Sequence, residues 1–170
     1  NCLFIYNPSV KETNLVPETD VVISINFVNI IPGSFLNRFK YGVLNAHAGD
    51  LPRYKGNACP NWSILNREKN VTLTIHKMDD ELDSGPIYCQ SKFQLTNETY
   101  IGDVYKWLKS ETPHLFIKAL SKIKRNIKPV EQTGRTLRVF PRKPQDAKLD
   151  FSTSIDWNYR LIRASSEPFD

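Results

Sequence analysis

The sequence has few residues of the types that build disulfide frameworks or metal centres. Its three cysteines are an odd number without a CxxC pair, which argues against both a disulfide framework and a zinc cluster. The histidines show no HExxH spacing, and a metal site made from His47, His76, Asp83 and Cys89 has no ligand spacing to support it. We therefore predict reduced cysteines, no bound metal and a cytoplasmic location.

Long apolar runs are also lacking. No run approaches the ~20 residues that a membrane helix needs, and the first residues do not form a basic and then apolar signal pattern. Neither a GxGxxG fingerprint nor a P-loop is present. The composition is 40% hydrophobic and 24% charged, and the 170 residues are enough for one domain with a buried core. We expect no membrane partner.

Acidic residues are scarce in one part of the chain. The formal net charge is +5, and the excess is concentrated in residues 118–143, where Glu131 is the only acidic residue. Such a stretch suits a polyanion, either a nucleotide diphosphate or RNA. A solvated helix face followed by a basic loop explains the charge equally well. The basic residues are Lys118, Lys122, Lys124, Arg125, Lys128, Arg135, Arg138, Arg142 and Lys143.

The first half of the sequence predicts parallel strands. Residues 21–28 are β-branched and apolar, which is typical of a strand buried on both faces. Pro32 can open a short helix, and residues 41–46 return as the next strand, so we expect the two strands to be parallel neighbours. Because the chain starts inside an apolar run without Met, we expect an excerpt that lacks the first strands of the sheet.

The middle of the sequence predicts a short helix and a hairpin. Pro60 suits the first turn of the helix and Asn66 its C-terminal cap. Residues 70–78 alternate apolar and polar side chains, which indicates a strand with two different faces. Residues 87–95 are expected to pair with them as the second strand of the hairpin.

The last third of the sequence predicts helices and one short strand. Apolar residues recur at helical spacing from Tyr100, and we expect Pro113 to break or kink this helix. Residues 136–140 indicate a short strand, and Ser154 can cap a final helix. The chain is accordingly divided into an N-terminally incomplete catalytic core, residues 1–125, and a C-terminal extension, residues 126–170, that is incomplete at its end.

Three polar residues are candidates for one reaction centre. Asn45 and His47 are two residues apart in a predicted strand, so their side chains point the same way at its carboxyl end. Open α/β sheets place their active sites there. An amide and an imidazole can donate hydrogen bonds to a developing oxyanion, and the later Asp83 can set the imidazole charge or take a proton from an attacking amine. Each residue also has a purely structural explanation, as a strand end, a satisfied core histidine or a turn.

The loop that carries Asp83 is densely acidic. Asp79, Asp80 and Glu81 precede it, and their like charge is expected to favour the neutral form of Asp83. A neutral carboxyl group could accept and release a proton during a reaction. A solvated acidic turn is the alternative.

Four fragments, in this order, resemble the formyltransferases that use 10-formyltetrahydrofolate. The resemblance is good over residues 21–93 and looser over residues 155–169. It implies a Rossmann-like α/β fold with a mostly parallel sheet, followed by a helical and short β extension. The fragments are Asn45-Ala-His47, Leu51-Pro52-Arg53-Tyr54-Lys55-Gly56, Val71-Thr72-Leu73-Thr74-Ile75-His76-Lys77-Met78 and Leu82-Asp83-Ser84-Gly85-Pro86-Ile87.

The resemblance also implies roles for particular residues. Asn45, His47 and Asp83 correspond to the family's catalytic set. The loop after the first predicted strand and the acidic loop correspond to its folate contacts, and the loop after His47 to its acceptor site. The implied folate contacts are Phe27, Asn29, Ile30, Ile31, Asp79, Asp80, Glu81 and Leu82, and the implied acceptor contacts are Pro52, Tyr54, Lys55, Gly56 and Asn57.

The implied reaction is transfer of a formyl group from 10-formyltetrahydrofolate to an amine. The segment AGDLPRYKGNACPNW is most similar to sugar N-formyltransferases, which implies a nucleotide-linked amino sugar as the acceptor. Formylation of methionyl-tRNA is the alternative, because the basic stretch suits RNA as well. Two hypotheses from other classes are a non-catalytic folate- or nucleotide-binding module and a formyltetrahydrofolate hydrolase. Assembly as a homodimer stays open.

Overall fold

The structure is a computed structural model that describes residues 16–27 and 31–168. No helix in these two ranges is long and apolar enough to cross a membrane. A short 3-10 helix, Pro144–Ala147, precedes the last α-helix. In chain order the strands and helices are β1 (Val22–Ser24), α1 (Gly33–Leu36), β2 (Val43–His47), β3 (Tyr54–Gly56), α2 (Cys59–Leu65), β4 (Asn70–Lys77), β5 (Ile87–Gln94), α3 (Ile101–Lys124), β6 (Leu137–Val139) and α4 (Ile155–Ser165).

The larger sheet has the strand order β1-β2-β4-β5. β1 and β2 are parallel, as the short crossover predicts, and β4 and β5 form the predicted antiparallel hairpin. β4 also pairs antiparallel with β2. The α/β, Rossmann-like fold class is confirmed. Within the described part of the larger sheet, however, only one of the three pairings is parallel, because β4 runs antiparallel to both of its neighbours.

β1 is shorter and more exposed than the sequence predicts. Ser24 is buried, whereas Ile23 is 43% exposed and Ile25 is 55% exposed. Burial on both faces is therefore wrong for this strand. Of the described helices, α2 and α3 lie against β4 and β5, whereas β1 is contacted through Val22 by the small apolar cluster of α1.

The main core lies between the sheet and α3. Leu108 and Leu115 are buried on either side of Pro113, so the apolar stripe continues across the proline. Of the two expected effects of Pro113, a break is wrong, since one helix runs through it, and a kink stays a prediction. Proline removes a single backbone donor, and the buried side chains on both sides hold the helix against the sheet.

A second, two-stranded sheet brings the end of the chain back to the loop after β2. β6 pairs in parallel with β3, with Lys55 opposite Arg138, and corresponds to the predicted strand at residues 136–140. The start of α4 is also as predicted, because Ser154 Oγ accepts a hydrogen bond from the backbone N–H of Trp157 at 3.1 Å. Segments far apart in the sequence thus meet beside the carboxyl end of β2.

Candidate active site

Polar side chains occupy one face of the larger sheet at the carboxyl end of β2. Asn45 and His47 alternate with Leu44, which is buried in the main core, so the two polar residues share the opposite face. Asn45 lies opposite His76 of β4, and its Nδ2 is 3.3 Å from His76 Nε2. Cross-strand pairing therefore adds His76 to the predicted pair.

Asp83 joins this cluster from the loop between β4 and β5. Its side chain is only 9% exposed, and Oδ2 lies 3.5 Å from His47 Nδ1 while Oδ1 lies 3.6 Å from His76 Nε2. Oδ2 also accepts a hydrogen bond from the backbone N–H of Gly56 at 2.9 Å. One carboxylate thus faces two imidazoles, and the three sequence-predicted catalytic residues lie in one cluster with His76 between Asn45 and Asp83.

The orientation of His47 is fixed by its other ring nitrogen. Nε2 lies 2.8 Å from the carbonyl oxygen of Tyr54, which can only accept, so Nε2 carries the hydrogen. The thiol of Cys59 is 3.6 Å from the same nitrogen. A Cβ at Gly49 would lie 2.2 Å from His47 Nε2, so this position requires glycine. The free lone pair of a neutral His47 is consequently on Nδ1, facing Asp83.

The charges of this pair follow from burial and contacts. Burial lowers the pKa of His47 more than the neighbouring Asp83 raises it, so the imidazole is neutral at pH 7. Burial raises the pKa of Asp83, but its interactions with His76, His47 and the Gly56 amide together outweigh burial, and the net pKa is lowered. Asp83 is therefore ionised at pH 7.

The predicted neutral form of Asp83 is thus wrong. Asp79, Asp80 and Glu81 are exposed, so water screens their charges, whereas the Asp83 side chain turns inward towards the Gly56 N–H and the two imidazoles. The acidic residues next to Asp83 in the sequence therefore have little effect on its pKa.

Sequence reasoning did not select His76 as a site residue. The sequence places it at a polar position of the alternating strand at residues 70–78 and in a metal site that lacks supporting ligand spacing, with no role in the reaction. The same alternation placed it on the polar face, but its contact with Asn45 depends on the register of β2 and β4. Its Nδ1 lies 3.1 Å from the Lys77 carbonyl, so Nε2 of a neutral His76 is free to accept from Asn45.

The predicted acceptor loop lies against this cluster. Gly56 contacts Asp83 directly, Lys55 is half-buried, and Asn57 is exposed. The Tyr54 side chain is buried and donates its hydroxyl hydrogen to Glu68 at 2.7 Å, so only its backbone faces His47. Pro52 is half-buried at the start of the same loop.

The predicted folate contacts fall into three groups. Asn29 and Ile30 lie outside the described residues. Phe27 and Ile31 belong to a small apolar cluster with α1. The acidic loop is exposed at Asp79, Asp80, Glu81 and Leu82. Asp79 and Asp80 also line a cavity of about 190 Å³ together with Leu36, Asn37, Lys77, Met78 and Pro86.

The site contains the groups for acid–base chemistry, and its thiol is not an activated nucleophile, because burial raises the pKa of Cys59 to about 12. Asn45 uses one amide hydrogen towards His76 and, being half-buried, has a second hydrogen for a substrate oxygen. His47 Nδ1 and Asp83 together form a proton-accepting pair. Within residues 16–27 and 31–168, no group of three His, Cys, Asp or Glu side chains is arranged to hold a metal ion.

Comparison with known proteins identifies the family. The sequence model described as formyl transferase matches residues 6–120, which is more than half of the chain. The chain belongs to the formyl transferase family. The resemblance seen in the sequence is therefore confirmed.

Curated relatives of this chain include methionyl-tRNA formyltransferases. Methionyl-tRNA formyltransferase of Fusobacterium nucleatum is 28% identical over 171 aligned residues, covering 96% of the chain and 55% of the relative. The chain spans about half the length of the first curated relatives that it matches.

Solved structures that resemble the fold include two in complex with folate compounds. An N-formyltransferase from Helicobacter canadensis, in complex with folinic acid and dTDP-3-aminofucose, has a TM-score of 0.68 and 26% identity, covering 84% of this chain and 53% of that one. HypX from Aquifex aeolicus, in complex with tetrahydrofolic acid, has a TM-score of 0.79 and 18% identity, covering 94% of this chain and 28% of that one. The second likeness concerns the fold alone.

Proposed function

We propose that the protein is an amine N-formyltransferase that uses 10-formyltetrahydrofolate. The observation that carries this proposal is the cluster of Asn45, His47 and Asp83, found in a chain of the formyl transferase family. The cofactor assignment is supported by the family and by the folate-bound structures that resemble the chain.

In the proposed reaction, the acceptor amine attacks the formyl carbon and the bond between that carbon and the folate nitrogen breaks. Asn45 donates its free amide hydrogen to the formyl oxygen as negative charge develops there. The amine loses one proton to the His47–Asp83 pair, and the same proton passes to the departing folate nitrogen. His47 Nε2 donates to Tyr54 at rest, so an oxyanion role for His47 requires that bond to be shared with the formyl oxygen.

For the acceptor, we propose a nucleotide-linked amino sugar. Lys55 and Arg138 are direct neighbours across β3 and β6, which places two positive charges beside the loop that contacts Asp83. Like charges directly opposite each other are unfavourable, and neither has an acidic partner among the described residues. A diphosphate would neutralise both. The dTDP-3-aminofucose complex of the Helicobacter canadensis protein supports this class of acceptor.

Methionyl-tRNA is the second candidate, since the Fusobacterium nucleatum relative carries that name. The same two positive charges would suit a tRNA phosphate.

We also retain residues 1–125 and 126–170 as a proposed division into catalytic core and extension.

The test is tetrahydrofolate release from 10-formyltetrahydrofolate by the full-length protein, with two acceptors and an acceptor-free sample compared. Release that requires a dTDP-linked amino sugar supports the sugar proposal, and release that requires methionyl-tRNA replaces it. Release without any acceptor would make the protein a hydrolase. Folate binding without release would leave a binding module.

A further inference from the structure

A side chain from outside the family match reaches the loop that carries Asp83. Gln132 lies between α3 and β6, beyond residues 6–120. Its Nε2 is 2.9 Å from the carbonyl oxygen of Asp83 and 2.7 Å from that of Gly85. Carbonyls only accept, so the single amide group donates both of its hydrogens, one to each side of Ser84.

The Asp83 backbone needs such support. Asp83 has a φ of +52°, in the left-handed region that residues with a side chain rarely adopt. Strained conformations of this kind persist when surrounding contacts hold them. The side chain is held by Gly56 from β3 and the backbone carbonyl by Gln132, so β3 and the segment before β6 hold Asp83 from two sides.

Gln132 is itself held by backbone contacts on both sides. Val130 exchanges two backbone hydrogen bonds with Ile87, at 2.7 and 2.9 Å, where β5 begins. Downstream, Leu137 donates to the Arg53 carbonyl, and β6 pairs with β3. The segment that carries Gln132 is thus attached to β5, which follows the acidic loop, and to β3, whose Gly56 holds the Asp83 carboxylate.

We propose that Gln132 is a positioning residue for Asp83 in the formyl-transfer reaction. This inference rests on the proposed function. The two hydrogen bonds of Gln132 hold the backbone on either side of Ser84. By fixing this backbone, they keep the Asp83 carboxylate at its present distances from His47 and His76.

Three substitutions separate positioning from simple packing. Gln132→Met keeps the shape and loses both donors, Gln132→Glu replaces the donors with acceptors that repel the two carbonyls, and Gln132→Lys restores donors at similar reach. The matched control is Gln145→Met, because Gln145 is exposed on the short 3-10 helix. Thermal unfolding of each variant reports any loss of fold.

We expect Gln132→Met and Gln132→Glu to lower kcat roughly 10- to 100-fold with little change in the KM for the folate, since small displacements of a reacting group have effects of this size. Gln132→Lys should recover most of the loss, and Gln145→Met should match wild type. Wild-type kcat in Gln132→Met would overturn the proposal, while formyl transfer by wild type would still stand.

A second measurement does not depend on turnover. The groups that face His47 are Asp83, His76, the Cys59 thiol and the Tyr54 carbonyl. In a histidine NMR titration, displacement of the Asp83 carboxylate in Gln132→Met should shift the His47 ring resonances and lower its titration midpoint. If wild type transfers no formyl group, the proposed function fails, but this titration still decides whether Gln132 positions Asp83. Unchanged His47 resonances in a folded Gln132→Met variant would refute that positioning role.

Discussion

Replacing Asp83 by Asn tests the proposed chemistry most directly. The substitution keeps the shape of the side chain and removes its negative charge. The carboxylate is only 9% exposed and lies 3.5 Å from His47 Nδ1, so the lost charge acts at close range with little screening by water. An Asn oxygen can still accept from the Gly56 N–H, which preserves the local fold. The variant therefore loses proton acceptance rather than structure.

The expected loss can be estimated from the role assigned to the pair. A positioned general base contributes about 10²- to 10⁴-fold to a rate, which corresponds to roughly 2.7 to 5.4 kcal/mol at 1.36 kcal/mol per decade. We expect kcat of Asp83→Asn to fall within this range, with folate affinity nearly unchanged. The assay is tetrahydrofolate release at saturating donor and acceptor, paired with equilibrium binding of folate.

The control is Asp20→Asn, an equally conservative change at an exposed aspartate before β1, which should leave kcat unaltered. Turnover of Asp83→Asn at the wild-type rate would refute the assignment of the carboxylate as part of the proton acceptor. A loss of folate affinity equal to the loss in kcat would instead make Asp83 a binding residue.

The remaining predictions concern the neighbours of Asp83. Asn45→Ala should lower kcat about 10²-fold, or about 3 kcal/mol, through loss of an oxyanion donor, and His47→Ala should be at least as severe; steady-state kinetics decides both. Arg138→Gln should raise the acceptor KM and weaken its salt dependence without changing folate affinity, whereas Lys128→Gln should not. Gly49→Ala should displace His47, because a Cβ there would lie 2.2 Å from Nε2, and kcat should fall. Since the pKa of Asp83 is lowered in the folded state, its ionisation stabilises the fold above its unfolded pKa, and this stabilisation is lost as pH falls through the folded pKa. In urea unfolding, the free energy of unfolding of Asp83→Asn should therefore decline less towards acid pH than that of wild type.

Local pattern was sufficient for much of the fold and part of the site. The alternation at the end of β2 placed Asn45 and His47 on one face, and the alternation of β4 predicted the hairpin with β5. Ser154 and Asn66 marked helix ends because capping depends on a few adjacent residues. The ordered motifs were also enough to indicate the family. All of these signals involve short spacings along the chain.

Only the tertiary structure decided how distant segments meet. The register of β2 with β4 brought His76 to Asn45, and the pairing of β3 with β6 set Arg138 beside Lys55. The prediction of a neutral Asp83 is wrong because its sequence neighbours face water, while its spatial neighbours, His76, His47 and the Gly56 amide, lower its pKa. Composition and spacing report on contacts a few residues apart, whereas electrostatic environment depends on distance in space, and packing alone sets that distance.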